Sequence, residues 1–190
     1  MADSGMLRTV CSKEEVILRK HVSREGEYVA TFEVRRPENG VEALGGTNIY
    51  TLLGALNPDL VAHTEVVPEE DGSAAVLLVF KRIAAELGLP QKYMTLSAVV
   101  AHASPGRLEI RAQDSASGPW RGPIPARCSK VVSNYIDLVA EEGAPGRMRV
   151  ALRFSIDLGE QLPTYMRDLP GMLMLRILVR LKNHIDNPSE

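Results

Sequence analysis

Cysteine is nearly absent: Cys11 and Cys128 are the only two in 190 residues. That excludes a disulfide framework and a cysteine-based metal centre, and free thiols fit a reducing compartment, so a cytoplasmic protein is expected. The start MADSGMLRTV has neither the basic segment nor the apolar stretch of a secretory leader. Aromatic residues make up only 5 %, too few for a base-stacking platform. Neither sign of charge dominates, since 22 Lys+Arg against 24 Asp+Glu leave a net charge of −2. The basic residues are scattered as well, so no nucleic-acid partner is expected. No run approaches the ~18 apolar residues of a membrane-spanning helix. What remains is ordinary globular material, 45 % hydrophobic and 24 % charged. It suffices for one domain over 1–190 with an aliphatic core, residues 1–13 being expected as a flexible terminus.

The chain first reads as β-structure. Tyr28, Ala30, Phe32 and Val34 alternate with polar residues behind Val16-Ile17-Leu18, a hairpin with one wet face. Gly45-Gly46 loosens the chain, Thr47 is a candidate cap for a short helix through Leu56, and Asn57-Pro58 ends it. Ala74 to Phe80 is apolar at every position; its β-branched content and the turn before it favour strand. Residues 83–90 read as short helix or loop, and Met94 to Val100 as strand. Leu108, Ile110 and Ala112 alternate with Arg107, Glu109 and Arg111. A proline-rich loop over 115–127 precedes two further strands, Val131 to Ala140 and Met148 to Ile156. The last has the clearest alternation in the chain.

The final segment changes period. Pro163 suits a first helical turn, Pro170-Gly171 bends or restarts the helix, and the pattern runs to about Asp186. Its apolar residues fill an arc of roughly 200°, with Leu173 and Lys182 as exceptions. So wide an arc needs a curved partner such as a bent antiparallel sheet. Its inward face is suited to line a cavity, to pack a solid core or to meet a partner, and the pattern leaves these open. Arg176 and Arg180, one turn apart, read as a solvated face or as flanks of an acidic headgroup.

Strands, a short helix, antiparallel hairpins and one long C-terminal helix are the element order. The segment Arg147-Met148-Arg149-Val150-Ala151-Leu152-Arg153-Phe154-Ser155-Ile156-Asp157-Leu158-Gly159, followed by Leu162-Pro163 and the helix, resembles the last strand, Asp-X-Gly corner and gripping helix of the START-like/polyketide-cyclase (SRPBCC, helix-grip) superfamily. Gly118 to Pro125 is similar to that family's loop between its last hairpins. Asn57-Pro58-Asp59 stands where many members carry Trp, and Gln91-Lys92-Tyr93 where many carry Arg-Asp. The resemblance implies an α+β helix-grip fold, a curved antiparallel sheet wrapped around the C-terminal helix with short helices between early strands. It also implies a cavity between them for a hydrophobic small molecule that is lipid-, sterol- or polyketide-like, with transient contact to a membrane surface.

No cofactor, metal or catalytic residue is expected. His21, His63, His102 and His184 lie on different elements without ligand spacing, and no nucleophile-elbow pattern occurs. Binding or transfer without catalysis is therefore the first reading. A cyclase or hydrolase of the same superfamily is the alternative, disfavoured because positions 148, 150, 152, 154 and 156 are all apolar. A solid interaction module is a third. Periodicity and the resemblance together nominate Phe32, Phe80, Leu108, Ile110, Leu152 and Phe154 from the sheet and Tyr165, Leu169, Leu173 and Ile177 from the helix as ligand-binding residues. A gate over 159–171, closing on the turns at 104–106 and 144–146, is the expected route of access.

Overall fold

The computed structural model describes residues 6–35, 40–82, 88–114, 120, 122–124, 126–160 and 162–187. The strands are β1 (Leu7–Lys13), β2 (Val16–His21), β3 (Glu27–Arg35), β4 (Val61–Pro68), β5 (Ala74–Phe80), β6 (Gln91–Ser104), β7 (Arg107–Asp114), β8 (Cys128–Lys130), β9 (Val132–Glu142) and β10 (Arg147–Asp157). They form one sheet in the order β1-β2-β3-β10-β9-β7-β6-β5-β4, antiparallel throughout except that β8 pairs in parallel with the start of β6. Two helices, α1 (Ile49–Leu56) and α2 (Leu169–Asp186), cover its inner face. This is the α+β layout expected, a large antiparallel sheet curved around a long C-terminal helix.

Alternation sets which side of each strand is wet. On β10, Met148, Val150, Leu152 and Phe154 are buried while Arg147, Arg149 and Arg153 are exposed. The pattern slips at Ser155/Ile156, where a bulge against β9 buries both residues. The register stacks the inner face in rows. Phe32, Val150, Ala140 and Leu108 form one; Ala30, Leu152, Leu138 and Ile110 the next; Tyr28, Phe154, Ile136 and Ala112 the third. β5 is buried on nearly all sides, which explains its unbroken apolar run. Pro68 sits at the end of edge strand β4, where no ladder donor is missed.

Three expectations about the elements need correction. Residues 7–13 are not a loose terminus: they form β1, paired with β2 through a two-residue turn. Glu14 and Glu15 both take positive φ, 48° and 65°, in that turn. Their carboxylates are pinned across the molecule, Glu14 accepting from Asn183 Nδ2 at 2.6 Å and Glu15 from Arg35 Nη2 at 2.8 Å. Thr47 does not cap α1, because it lies within a 3-10 turn, Gly46–Asn48, that leads into the helix from another over Gly40–Leu44. Pro163 likewise precedes only a 3-10 turn, Thr164–Met166, and α2 begins at Leu169 with Pro170 in its first turn. The readings over 83–87 and over 115–119, 121 and 125 lie outside the described residues.

α2 is held at both ends and in the middle. At its start Gly171 presses on β3 so closely that a Cβ there would stand 2.7 Å from Tyr28 Cε1. Tyr28 stacks on Phe154 at 5.3 Å, and its hydroxyl donates to Asp168 Oδ1 at 3.2 Å, which also takes Lys20 Nζ at 2.8 Å. At its far end Asp186 accepts from the Arg35 backbone N–H at 2.6 Å and from the buried Lys182 at 2.5 Å. That contact explains the lysine interrupting the apolar arc. In the middle Arg176 and Arg180 reach Asp59, and Arg180 also donates to the buried Asn57 at 3.1 Å.

Candidate functional site

The middle row of the sheet is where the packing opens. A small chamber lies above Leu152, Leu138 and Ile110, with Ile136 beside them. α1 closes one side through Ile49, Tyr50, Leu53 and Gly54, and α2 roofs it with Met174, Ile177, Leu178 and Leu181. Val61, Leu78, Phe80 and Met94 complete the wall from β4, β5 and β6. The i, i+3, i+4 spacing on both helices places those residues on single faces. α1 itself is brought down onto β4 at Gly54, whose missing side chain leaves room for Thr64. The open space is about 50 Å³. A water occupies ~30 Å³ of liquid, and pockets for small molecules run to ~300–1,000 Å³, so the chamber as it stands holds no lipid-sized body.

Among the described residues the wall is hydrocarbon and thioether with one exception, the hydroxyl of Tyr50. Burial pushes the Tyr50 pKa up, with the Asp137 charge adding to the effect, so the ring is neutral at any physiological pH. Among the described residues the wall carries no carboxylate, amine, imidazole or thiol, and what it offers is van der Waals contact and exclusion of water.

Of the ten residues nominated from the sequence, the chamber brings together Phe80, Ile110, Leu152 and Ile177. The other six stand elsewhere. Phe32 and Leu108 are buried in the neighbouring row, nearer the β9–β10 turn. Phe154 is fully buried against Tyr28 and shares no wall. Leu169 packs on the main core, and Leu173 joins a small separate cluster of Leu60, Val61 and Ile177. Tyr165 is 81 % exposed, because the helix in which it was expected starts four residues later. Most of the missed wall comes from α1 and from Met94, Leu78 and Val61. Periodicity marks these as apolar, but only the tertiary placement of α1 shows that they face one space.

The expected gate is also displaced. The turns at 104–106 and 143–146 meet through the bond from Glu142 N–H to Gly106 O, at the end where β10 begins. Residues 159–171 follow the other end of that 11-residue strand, about 35 Å away at the usual rise. Beside the chamber, α2 instead meets the corner between α1 and β4. There Asn57 Nδ2 caps the Leu53 carbonyl at 2.8 Å and its backbone carbonyl accepts from Leu60 and Val61 N–H at 3.0 and 2.8 Å. Asp59, on the same corner, pairs with Arg176 at 2.6 Å and with Arg180. The Arg180 hydrogen bond is the main reason that its carboxyl pKa falls to about 2.

No protein-family model matches the sequence, and no curated protein matches it. Solved structures do match. The human StAR-related lipid transfer protein 5 superposes with a TM-score of 0.70 at 14 % identity, covering 97 % of this chain and 86 % of its own. The lipid transfer and protein localization domain of human StarD13 (DLC2) gives a TM-score of 0.70 at 15 % identity, over 97 % and 91 % of the two chains. A STAR-related lipid transfer protein fragment from Xanthomonas axonopodis gives 0.67 at 14 % identity, over 95 % and 99 %. Identities this low speak to architecture alone, and on that architecture the chain has the START-like, helix-grip fold.

Proposed function

We propose that the chain binds a hydrophobic small molecule with a lipid-, sterol- or polyketide-like hydrocarbon body in the chamber beneath α2, and does no covalent chemistry on it. The observation that carries this reading is the wall: two helices and six strands converge on one space whose only side-chain hydroxyl, among the described residues, is that of Tyr50. Such a wall rewards transfer of hydrocarbon from water at ~25 cal/mol per Å² buried, and it has no group with which to activate a bond. The START-like fold, shared with proteins named for lipid transfer, supports the same reading.

Because the chamber is only about 50 Å³, uptake requires its walls to part. The weakest seam is the small cluster of Leu60, Val61 and Ile177, joined to the main core through the partly buried Leu53, Phe80 and Met174 and clasped by the exposed Asp59–Arg176 pair. Swinging the α1–β4 corner away from α2 there would enlarge the space without disturbing the β3–β10 half. The same small volume favours a second reading, a solid interaction module whose interior takes no ligand.

Native mass spectrometry of the purified protein, against the same sample denatured, separates the two. A noncovalent mass of lipid size is the expected result. A clean spectrum, even after incubation with mixed lipids, would overturn the binding reading in favour of the solid module.

A further inference from the structure

We infer that Thr64 holds the polar end of the bound molecule. Its hydroxyl, shut beneath α1 beside the chamber, pairs with one uncharged hydrogen-bonding group, a hydroxyl or a carbonyl, on an otherwise hydrocarbon ligand. The inference rests on the binding reading above and names the ligand class within it.

Thr64 stands directly opposite Leu78 in the β4–β5 register, so the two share the inner face of the sheet. Leu78 belongs to the chamber wall, and so does Gly54, which lies over Thr64 from α1. The approach is so close that a Cβ on residue 54 would fall on Thr64 Oγ1, and glycine is what lets the helix settle there. Once settled, the helix leaves the hydroxyl stranded: Thr64 Oγ1 is out of contact with water and makes no hydrogen bond among the described residues. Asp114, Trp120 and Ser129 also have buried polar atoms in that condition, but they stand elsewhere. Asp114 is ion-paired with Lys130 at 2.6 Å, Ser129 lies opposite Lys92, and Trp120 is outside the strands. Among these, Thr64 is the one that faces a wall residue across the ladder.

A buried hydroxyl without a partner destabilises the closed form, because it has given up its hydrogen bonds to water and gained none in return. The chamber, at about 50 Å³, must grow to admit any ligand. Growth at the α1–β4 corner lifts Gly54 off Thr64, and the oxygen then meets what has entered. A hydroxyl both donates and accepts, so it answers an alcohol or a carbonyl equally well. An ionised head finds no counterpart there, since among the described residues the wall carries no carboxylate, amine or imidazole. The buried amine two residues before Met94 on β6, that of Lys92, is already engaged, donating to the Leu158 carbonyl at 2.9 Å and to Glu160 at 2.8 Å. The site thus suits a long apolar body with a single neutral polar group.

The test is headspace partition of n-octanol and of n-nonane, in which a methyl replaces the hydroxyl, over solutions of the parent protein and of Thr64→Val. The parent should retain both. Thr64→Val should retain octanol about five- to ten-fold less, the worth of one neutral hydrogen bond, and hold nonane as before. Valine fills the space of threonine, so the urea midpoint of the ligand-free variant should rise, no unpartnered hydroxyl being left. Thr31→Val, at an outer-face hydroxyl that accepts from Arg19 at 3.2 Å, should leave the octanol preference as it was. Equal losses of octanol and nonane, no loss of octanol, or a lower urea midpoint in Thr64→Val would overturn the inference and leave the binding reading standing. So would a loss confined to Tyr50→Phe, which would assign the contact to that hydroxyl, or retention of octanoate ion as strong as that of octanol, which would assign it to Lys92. Retention of neither probe by the parent would overturn the binding reading, and this inference with it.

Discussion

Leu152 and Phe154 stand two residues apart on the inner face of β10, yet the two halves of the molecule treat them in opposite ways. Phe154 is wholly buried, stacked on Tyr28 beneath the glycine contact that seats α2. Leu152, one row along, faces the chamber. The β2–β3–β10 half is closed by interlocking ring, glycine and carboxylate. The α1–β4–β5 half is closed by aliphatic side chains and an exposed ion pair. One helix thus has a side locked by ring, glycine and carboxylate contacts and a side held by aliphatic packing and one exposed pair, the division on which the proposed uptake rests.

The sharpest way to break that contrast is truncation. Phe154→Ala should cost about 3–5 kcal/mol in urea unfolding, since Tyr28, Gly171 and Asp168 leave little room for collapse. Leu152→Ala should fall at the low end of the ~2–5 kcal/mol range for such changes, because its site already borders free space. Equal losses would mean that the two halves are packed alike.

Enlargement is the complementary change, with a smaller effect. Leu18 is fully buried and its Cδ2 lies in the crowded contact with Gly171. Leu18→Phe should therefore cost ~1–3 kcal/mol by overpacking, whereas Leu152→Phe should cost less than ~1 kcal/mol and abolish ligand uptake. Unfolding curves and native mass spectra of the same two variants check both halves of the statement. If Leu152→Phe is as costly as Leu18→Phe, the chamber does not exist in solution.

How much of this was legible beforehand depends on what each residue's neighbours are. The alternation of Met148, Val150, Leu152 and Phe154 announces a half-buried strand because one face meets water and the other does not, and that is a local property. The long helix was legible for the same reason. β8 was not, because three residues cannot show a period and its parallel pairing with Gln91–Tyr93 is purely tertiary. β1 was missed because it is an edge strand on which no residue is fully buried, so its sequence carries no apolar stripe. The site was legible only as a set of inward positions. Leu152, Phe154 and Phe32 are equivalent by periodicity, and what separates them is where α1 descends and which of them meets Tyr28.

The smallest expected effect concerns the clasp on the parting side. Asp59 has its carboxyl pulled down to about 2, first by its hydrogen bond from Arg180. A carboxyl depressed in the folded state stabilises it fully above the ordinary value near ~4, and that contribution is lost as pH falls through the folded value. The clasp should therefore be intact at neutral pH and open between about pH 4 and 2. The amides of Leu60 and Val61, bonded to the Asn57 carbonyl, report on it by hydrogen exchange. Asp59→Asn should speed their exchange at pH 6 by up to about five-fold, the range of an exposed pair, and raised salt should do the same to the parent. Asp168, also held below the ordinary carboxylate range, chiefly by Lys20, belongs to the packed side. Asp168→Asn should leave those two amides unchanged. If instead it loosens them as much as Asp59→Asn does, α2 moves as one rigid piece and the division into a fixed and a parting side is wrong.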